Sequence, residues 1–376
     1  MSSSITANIV TFSTSNQYPF GFFGQLKRTL AFYSSGEPGA TFRPMIDQSD
    51  SASICVIGNL NIDLIIRSVA SLPGWGQEVM GASHIQVSSG QAGYLSFALS
   101  RLGIPVGLIG NVGDDIYGRQ ILGDLHSYAI DTGGVTVMPG ESTGITVAIV
   151  RADGERAFVS DLGSLHHFSE GMIEQNWPRV NAASIVCLVG LFCIPGLSYQ
   201  VAARQLARVR QAGAVTMLDT GWDPHDWDKE TLIGIKALLK EVTLFMPNWD
   251  EARAITQSSN VEEAALLLQA LGPSKVVIKC GKLGSYVRSG SLTCQAPPRR
   301  VQVYDAVGAG DVFNAGFLFG LRRGWPMEAC LAFGNTTASL YISRQQDRFP
   351  PLNEALTAGR QDYPALADIQ DLKALE

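Results

Sequence analysis

From Ser53 onward the chain alternates short β-branched runs with longer stretches whose apolar residues recur at helical spacing. Buried strands are predicted at Ile54–Ile57, Val106–Ile109, Ser184–Leu188, Val215–Leu218, Leu244–Met246 and Val276–Ile278, because these runs are continuously apolar rather than alternating. Between them, Ala92–Leu102, Tyr199–Arg210 and Val261–Leu271 read as helices. The first places Leu95, Ala98, Leu99 and Leu102 on one face and stops at Gly103, with Pro105 beyond. This order predicts an α/β fold, a mostly parallel central sheet flanked by helices in layers. Two segments break it, 68–87 and 135–160. In the second, Thr146–Val150 and Arg156–Val159 flank Ala152-Asp153-Gly154-Glu155 as the arms of a hairpin would. Together the two segments are expected to form a small inserted β-sheet, a lid over the carboxyl ends of the body strands.

Residues 1–50 do not share the pattern. They are rich in Ser, Thr and Phe, hold Glu37 as the only acid before Asp47, and show no sustained period. They are read as an N-terminal extension, either disordered or preceding a true start at Met45. A transit peptide is the weaker reading, since only Lys27, Arg28 and Arg43 supply charge. The domain proper is expected over 51–360, followed by a C-terminal tail, 361–376.

Composition narrows the class. With 376 residues, 46% hydrophobic and 16% charged, the chain can bury a large core and is too apolar for a disordered protein. A net charge of −6 argues against a general nucleic-acid or acidic-membrane surface, so any phosphate site must be local. The longest apolar stretch, Ile185–Ile194, is interrupted by Gly190 and is about half a membrane span. A cytoplasmic location with no membrane partner is expected. Six cysteines, at 55, 187, 193, 280, 294 and 330, form no Cys-x-x-Cys pair and read as buried, reduced thiols.

The stretch richest in chemistry is Asp305-Ala-Val-Gly-Ala-Gly-Asp311, which follows the strand-like Arg300–Tyr304 and opens a helical pattern running from Ala309 to Arg323. Gly308 and Gly310, with Ala309 between them, allow backbone to approach a ligand closely. Free N–H groups and the positive end of the helix dipole would converge there on a transferring phosphoryl group. Asp311, in the first turn, either accepts a proton from a substrate hydroxyl or merely caps the helix. Asn61 and Asp63 stand two apart after the first strand, so they share a face; they either hold two substrate hydroxyls or close an Asx-type turn. Asn248 and Glu251 follow Pro247 three apart and could reach a hydrated metal, or form a capping box; the roles are compatible. A P-loop is excluded, because Gly281-Lys282 is followed by Leu283 and lacks the earlier glycine. Phe313 stands where a dinucleotide fingerprint from Gly308 needs its third glycine, and the adjacent His166-His167 pair has no metal-site spacing.

Asp305 to Gly316 resembles the C-terminal signature of the ribokinase-like, PfkB-type carbohydrate kinases. Gly58-Asn-Leu-Asn61-Ile-Asp63 is similar to that family's first strand and substrate-hydroxyl ligands. Ser89-Gly90-Gln-Ala-Gly93-Tyr94 resembles its N-terminal glycine signature, Gly110 to Gly118 is again family-like, and Pro247-Asn248-Trp-Asp-Glu251 resembles its Asn-x-x-Glu motif. The resemblance spans about 53–350 and implies a ribokinase-like fold. It also implies ATP-dependent transfer of a γ-phosphoryl group to a sugar hydroxyl, with Asp311 as base and Gly308, Ala309 and Gly310 at the reacting phosphate. Asn61, Asp63, Gly90 and Tyr94 would meet the substrate. Asn248, Gly281, Gly308, Gly310 and Asn335 would line the nucleotide pocket. Magnesium would sit near Asn248 and Glu251 through water, and a monovalent cation, potassium, at Asp305. Two departures stand out: Tyr94 replaces the family's substrate-binding asparagine, and Ser343-Arg344-Gln345-Gln346-Asp347 departs from its small-residue turn after the last long helix. The first leaves sugar specificity open, the second potassium dependence. The other readings are a nucleoside kinase of the same family, with Tyr94 stacked on a base, and a silent sugar or nucleotide sensor. A homodimer through the lid is the expected assembly.

Overall fold

The computed structural model describes residues 53–153, 155–367 and 369; the expectations for residues 1–50, and most of the 361–376 tail, lie outside them. Thirteen strands are described. The first seven are β1 (Ser53–Gly58), β2 (Asn61–Val69), β3 (Ser83–Ser89), β4 (Val106–Gly113), β5 (Val135–Met138), β6 (Gly144–Arg151) and β7 (Arg156–Asp161). The rest are β8 (Ala183–Val189), β9 (Val215–Asp219), β10 (Leu244–Phe245), β11 (Lys275–Lys279), β12 (Ser285–Ser289) and β13 (Leu292–Ala296).

Nine of them form the body sheet in the order β13-β12-β11-β10-β9-β8-β1-β4-β5. It is parallel from β11 through β5, and an antiparallel hairpin, β12 and β13, closes one edge. Because side chains alternate across a strand, Ile54 and Val56 of β1 enter one core while Cys55 and Ile57 enter the other. Helices Gln91–Arg101, Ala309–Arg322 and Met327–Ile342 cover the first face; Tyr199–Gln211, Lys229–Leu238, Trp249–Thr256 and Val261–Ala270 cover the second. Burial on both faces explains why these strands read as unbroken apolar runs.

The four remaining strands make a separate sheet, β3-β2-β6-β7, in which only β2 and β6 run parallel. The hairpin of β6 and β7 matches the pattern read from 146–159. The inserted sheet is otherwise drawn differently from expectation. β2 starts at Asn61, with two residues between it and the end of β1, so Asn61 and Asp63 belong to the small sheet and not to the end of a body strand. β5, inside the 135–160 segment, pairs parallel with β4 in the body. Arg300–Tyr304 is not a strand: the N–H groups of Tyr304 and Asp305 both reach the Ile342 carbonyl, so the segment docks on a helix end instead. Nor does packing stop at 360, since helix Leu352–Asp362 crosses that point and Tyr363 and Leu366 are buried in the core.

Among the described residues no helix is long and apolar enough to cross a membrane. All six cysteines are free; Cys55, Cys187 and Cys330 are buried, whereas Cys193, Cys280 and Cys294 are only partly so. Burial pushes the Cys55 and Cys280 thiols up to about 12, which leaves them inert as thiolates at neutral pH.

Candidate active site

The loop before helix Ala309–Arg322 is held by hydrogen bonds on both sides. Val307 N–H donates to Asp305 Oδ1 (3.0 Å), a local turn, and Tyr341 O–H donates to the Val307 carbonyl (2.9 Å). Gly308 then takes φ +80°, where a Cβ would lie 2.9 Å from the Tyr94 ring, so a side chain is excluded by both conformation and space. The first intrahelical bond runs from Val312 N–H to the Gly308 carbonyl (3.1 Å), which leaves the Gly310 and Asp311 N–H groups in the open first turn. They face a cleft of about 650 Å³.

Asp311, Asn248, Glu251, Gly281, Gly308, Ala309, Gly310 and Asn335 all line this cleft, as the sequence reading grouped them. Asp311 is buried, and burial together with the charge of Asp219 holds its carboxyl well above the usual carboxylate range; Lys279 and a hydrogen bond from Gln91 oppose the shift. Asn248 and Glu251 form a complete capping box. Asn248 Oδ1 accepts from Glu251 N–H (2.9 Å), Glu251 Oε2 accepts from Asn248 N–H (2.9 Å), and Asn248 Nδ2 donates to Glu251 Oε1 (2.6 Å). Burial and the Asp219 charge push the Glu251 carboxyl up to about 8. Asn335 donates to the Ala296 and Pro297 carbonyls (3.2 and 3.0 Å), tying the end of β13 to the cleft wall.

Among the cleft residues that escaped the sequence reading are Gln91, Arg156, Asp219 and Lys279. Asp219 ends β9 and Lys279 ends β11. Their side chains form an ion pair, and Asn314 Nδ2 also donates to Asp219 Oδ2 (2.6 Å). Lys279 Nζ lies 3.4 Å from the point a Cβ on Gly310 would occupy, which puts an ammonium beside the open helical turn. Burial lowers the Lys279 pKa, but the charges of Asp219 and Glu251 outweigh it and the group titrates above its ordinary value. The signal was available: both are charges closing buried parallel strands at their carboxyl ends, where α/β sheets carry their sites.

Asn61, Asp63, Gly90 and Tyr94 form a second, buried cluster that is not part of the cleft lining. Asn61 Nδ2 donates to Asp63 Oδ1 and Ser89 Oγ (both 2.9 Å), and Tyr94 O–H donates to Asp63 Oδ2 (2.9 Å). The Asx-turn reading gives way to this cross-strand network. Burial raises the Asp63 pKa against the hydrogen bonds from Ser89, Tyr94 and Asn61. Gly90 takes φ +90°, and a Cβ there would strike the Asn59 carbonyl at 2.2 Å, so both conformation and space require glycine. The Tyr94 ring packs near Tyr341 and Phe349, with centroids 6.2 and 6.3 Å away, so it is a core aromatic and not an open stacking platform. The two clusters touch where Tyr94 meets Gly308 and where Gln91 follows Gly90.

Asp305 does not face the cleft with a free carboxylate. Its side chain is 1% exposed and is bracketed by Arg67 and Arg348. Among the described residues no group of three or more acidic, His or Cys side chains is arranged to hold a metal.

Known proteins share this architecture. The chain is 29% identical over 304 residues to a ribokinase of Bacillus subtilis, a match covering 80% of this chain and 97% of the relative. A putative ribokinase II of E. coli, solved in complex with ATP and Mg2+, superposes with a TM-score of 0.70 at 20% identity, covering 82% of this chain and 99% of that one. A nucleoside kinase of Burkholderia thailandensis in complex with inosine gives the same TM-score at 20% identity, with 83% and 99% covered. The family model described as pfkB family carbohydrate kinase matches residues 51–354, from the first strand of the body to the helix beyond Asp305 and Asp311. With that match spanning most of its length, this chain belongs to the pfkB family of carbohydrate kinases.

Proposed function

We propose that the protein transfers the γ-phosphoryl group of ATP to a hydroxyl of a sugar, with Asp311 as the base. The observation that carries this reading is the position of the Asp311 carboxyl: it lies in the open first turn of helix Ala309–Arg322, within the same cleft as the Gly308–Gly310 backbone and Lys279. A hydroxyl docked there loses its proton to the Asp311 carboxylate while its oxygen attacks the γ-phosphorus in line, and the bond from that phosphorus to the β–γ bridging oxygen breaks to release ADP. Charge on the transferring group meets the Gly310 and Asp311 N–H groups, the helix dipole and the Lys279 ammonium.

The oxygen donors of Asn248 and Glu251 suit a hydrated magnesium ion, which they would hold through water because their side chains already bond one another. Magnesium, when bound, neutralises the nucleotide phosphates. The 29% identity to a ribokinase favours a sugar over a nucleoside as acceptor. Both Asp63 oxygens already accept, Oδ1 from Asn61 and Oδ2 from Tyr94, so an acceptor hydroxyl at Asp63 shares an oxygen with one of them.

The test is ATP consumption over a panel of ketoses, aldoses and nucleosides with magnesium, with Asp311→Asn as control. The variant should lose about 10²–10⁴ in turnover with little change in acceptor KM. Unchanged turnover in the purified variant, on the best acceptor, removes Asp311 as base. Binding of a sugar with no transfer to any acceptor would make the protein a sensor.

A further inference from the structure

The family resemblance implies a monovalent cation at Asp305, held by carbonyls near it and after the last long helix. The residues do not fit one. Asp305 Oδ2 accepts from Arg67 Nη2 (2.8 Å) and from Arg348 Nη1 (2.9 Å), Oδ1 accepts from Val307 N–H (3.0 Å), and the Asp305 carbonyl accepts from Arg348 Nη2 (2.9 Å). Every Asp305 oxygen a cation would use is therefore taken by an N–H donor. A potassium ion would also be a third positive charge beside two buried guanidinium groups that share one carboxylate.

We propose that Arg348 is the built-in cation of this protein's phosphate loop. Its fork spans carboxylate and carbonyl of the same residue, one N–H donor to each, which a planar guanidinium satisfies in a single rigid group. The guanidinium also lies over the Tyr341 ring, 4.0 Å from its centroid, and Tyr341 in turn holds the Val307 carbonyl. Arg348 thus grips the chain directly at Asp305 and, through Tyr341, at Val307, the residue before Gly308. It is a positioning residue: it fixes where the Gly308–Asp311 donors point, without meeting the phosphate. Arg67 is the second arm. It reaches from β2 of the small sheet and lies over the Tyr304 ring at 4.7 Å. The consequence is a phosphate loop set by the polypeptide alone, indifferent to which monovalent cation is in solution.

The turnover part of this inference rests on the proposed kinase reading, so the experiment carries readouts that do not. ATP dissociation constants, thermal midpoints and, with an active acceptor, turnover are measured in potassium chloride and in tetramethylammonium chloride at equal ionic strength. For the wild-type protein all should agree between the salts, the dissociation constants to within about twofold. Arg348→Ala should weaken ATP binding and turnover by about 10–10² in tetramethylammonium, with much of the loss restored by potassium or by free guanidinium. Arg348→Lys should keep more of both than Arg348→Ala. Potassium improving wild-type ATP binding or turnover by about fivefold or more overturns the proposal. So does a wild-type thermal midpoint raised by potassium over tetramethylammonium, a result that stands even if the Arg348→Ala protein does not fold or no nucleotide binds. Failure to phosphorylate any acceptor, with ATP bound equally in both salts, would sink the kinase reading and leave this one intact.

Discussion

Lys279→Met separates a structural from a chemical role at the centre of the cleft. The Lys279 and Asp219 side chains are 11% and 2% exposed, so their ion pair is buried. Removing one member of such a pair costs about 3–5 kcal/mol, because the other charge is left without compensation. Here the loss is smaller, since Asn314 still donates to Asp219 Oδ2; about 2–4 kcal/mol is expected. For a domain of this size that lowers the thermal midpoint by roughly 3–6 °C. Lys279→Met with Asp219→Asn removes both charges and should regain most of the stability. If the ammonium also stabilises the transferring phosphoryl group, turnover in the double variant stays about 10²–10³ below wild type. The acid limb of the pH–rate profile should move upward in Lys279→Met as well, because Lys279 is one of the two groups opposing the upward shift of Asp311. Calorimetry and steady-state kinetics on the three proteins decide the matter. A double variant with wild-type turnover would show that Lys279 serves folding alone.

Glu251 links stability to pH with a definite sign. Its folded pKa of about 8 lies above the ordinary glutamate value, so the folded protein keeps a proton that the unfolded chain releases. The resulting stabilisation is full below about pH 4 and is lost as pH rises through about 8. Glu251→Gln should flatten that part of the slope in urea melts, and an unchanged slope would refute the assignment. Tyr94→Phe leaves Asp63 Oδ2 buried without its donor and should cost about 1–3 kcal/mol in chemical denaturation. The same change opens one carboxylate position, so KM should fall for acceptors with an additional hydroxyl; unchanged KM across the panel would remove Tyr94 from acceptor selection.

Much of the body was legible because its signals are local. The parallel strands are buried on both faces and read as apolar runs, and Asn248 and Glu251 announced their capping box by a spacing of three. The small sheet was less legible. β1 and β2 are separated by two residues, Asn59 and Leu60; Gly58-Asn59 marks a break after Ile57, but no local signal says that the chain there leaves the body for a second sheet. β5 resembles a lid strand in sequence but is claimed by the edge of β4, a choice made by tertiary pairing. The bracket on Asp305 was out of reach for the same reason. Arg67 is 238 positions away and Arg348 is 43, and no local pattern encodes a pair across such distances.

On the proposed assignment, the contact between Tyr94 and Gly308 makes acceptor choice and phosphate handling parts of one joint. The ring that excludes a side chain at Gly308 belongs to the residue whose hydroxyl occupies Asp63. A substitution at position 94 chosen to admit a different acceptor therefore removes the support under the loop proposed to receive the phosphate. Selectivity and rate in this protein should drift together through a lineage or a directed-evolution campaign, and recovery of rate should come from second substitutions at Tyr341 or Phe349, the rings that hold Tyr94 in place.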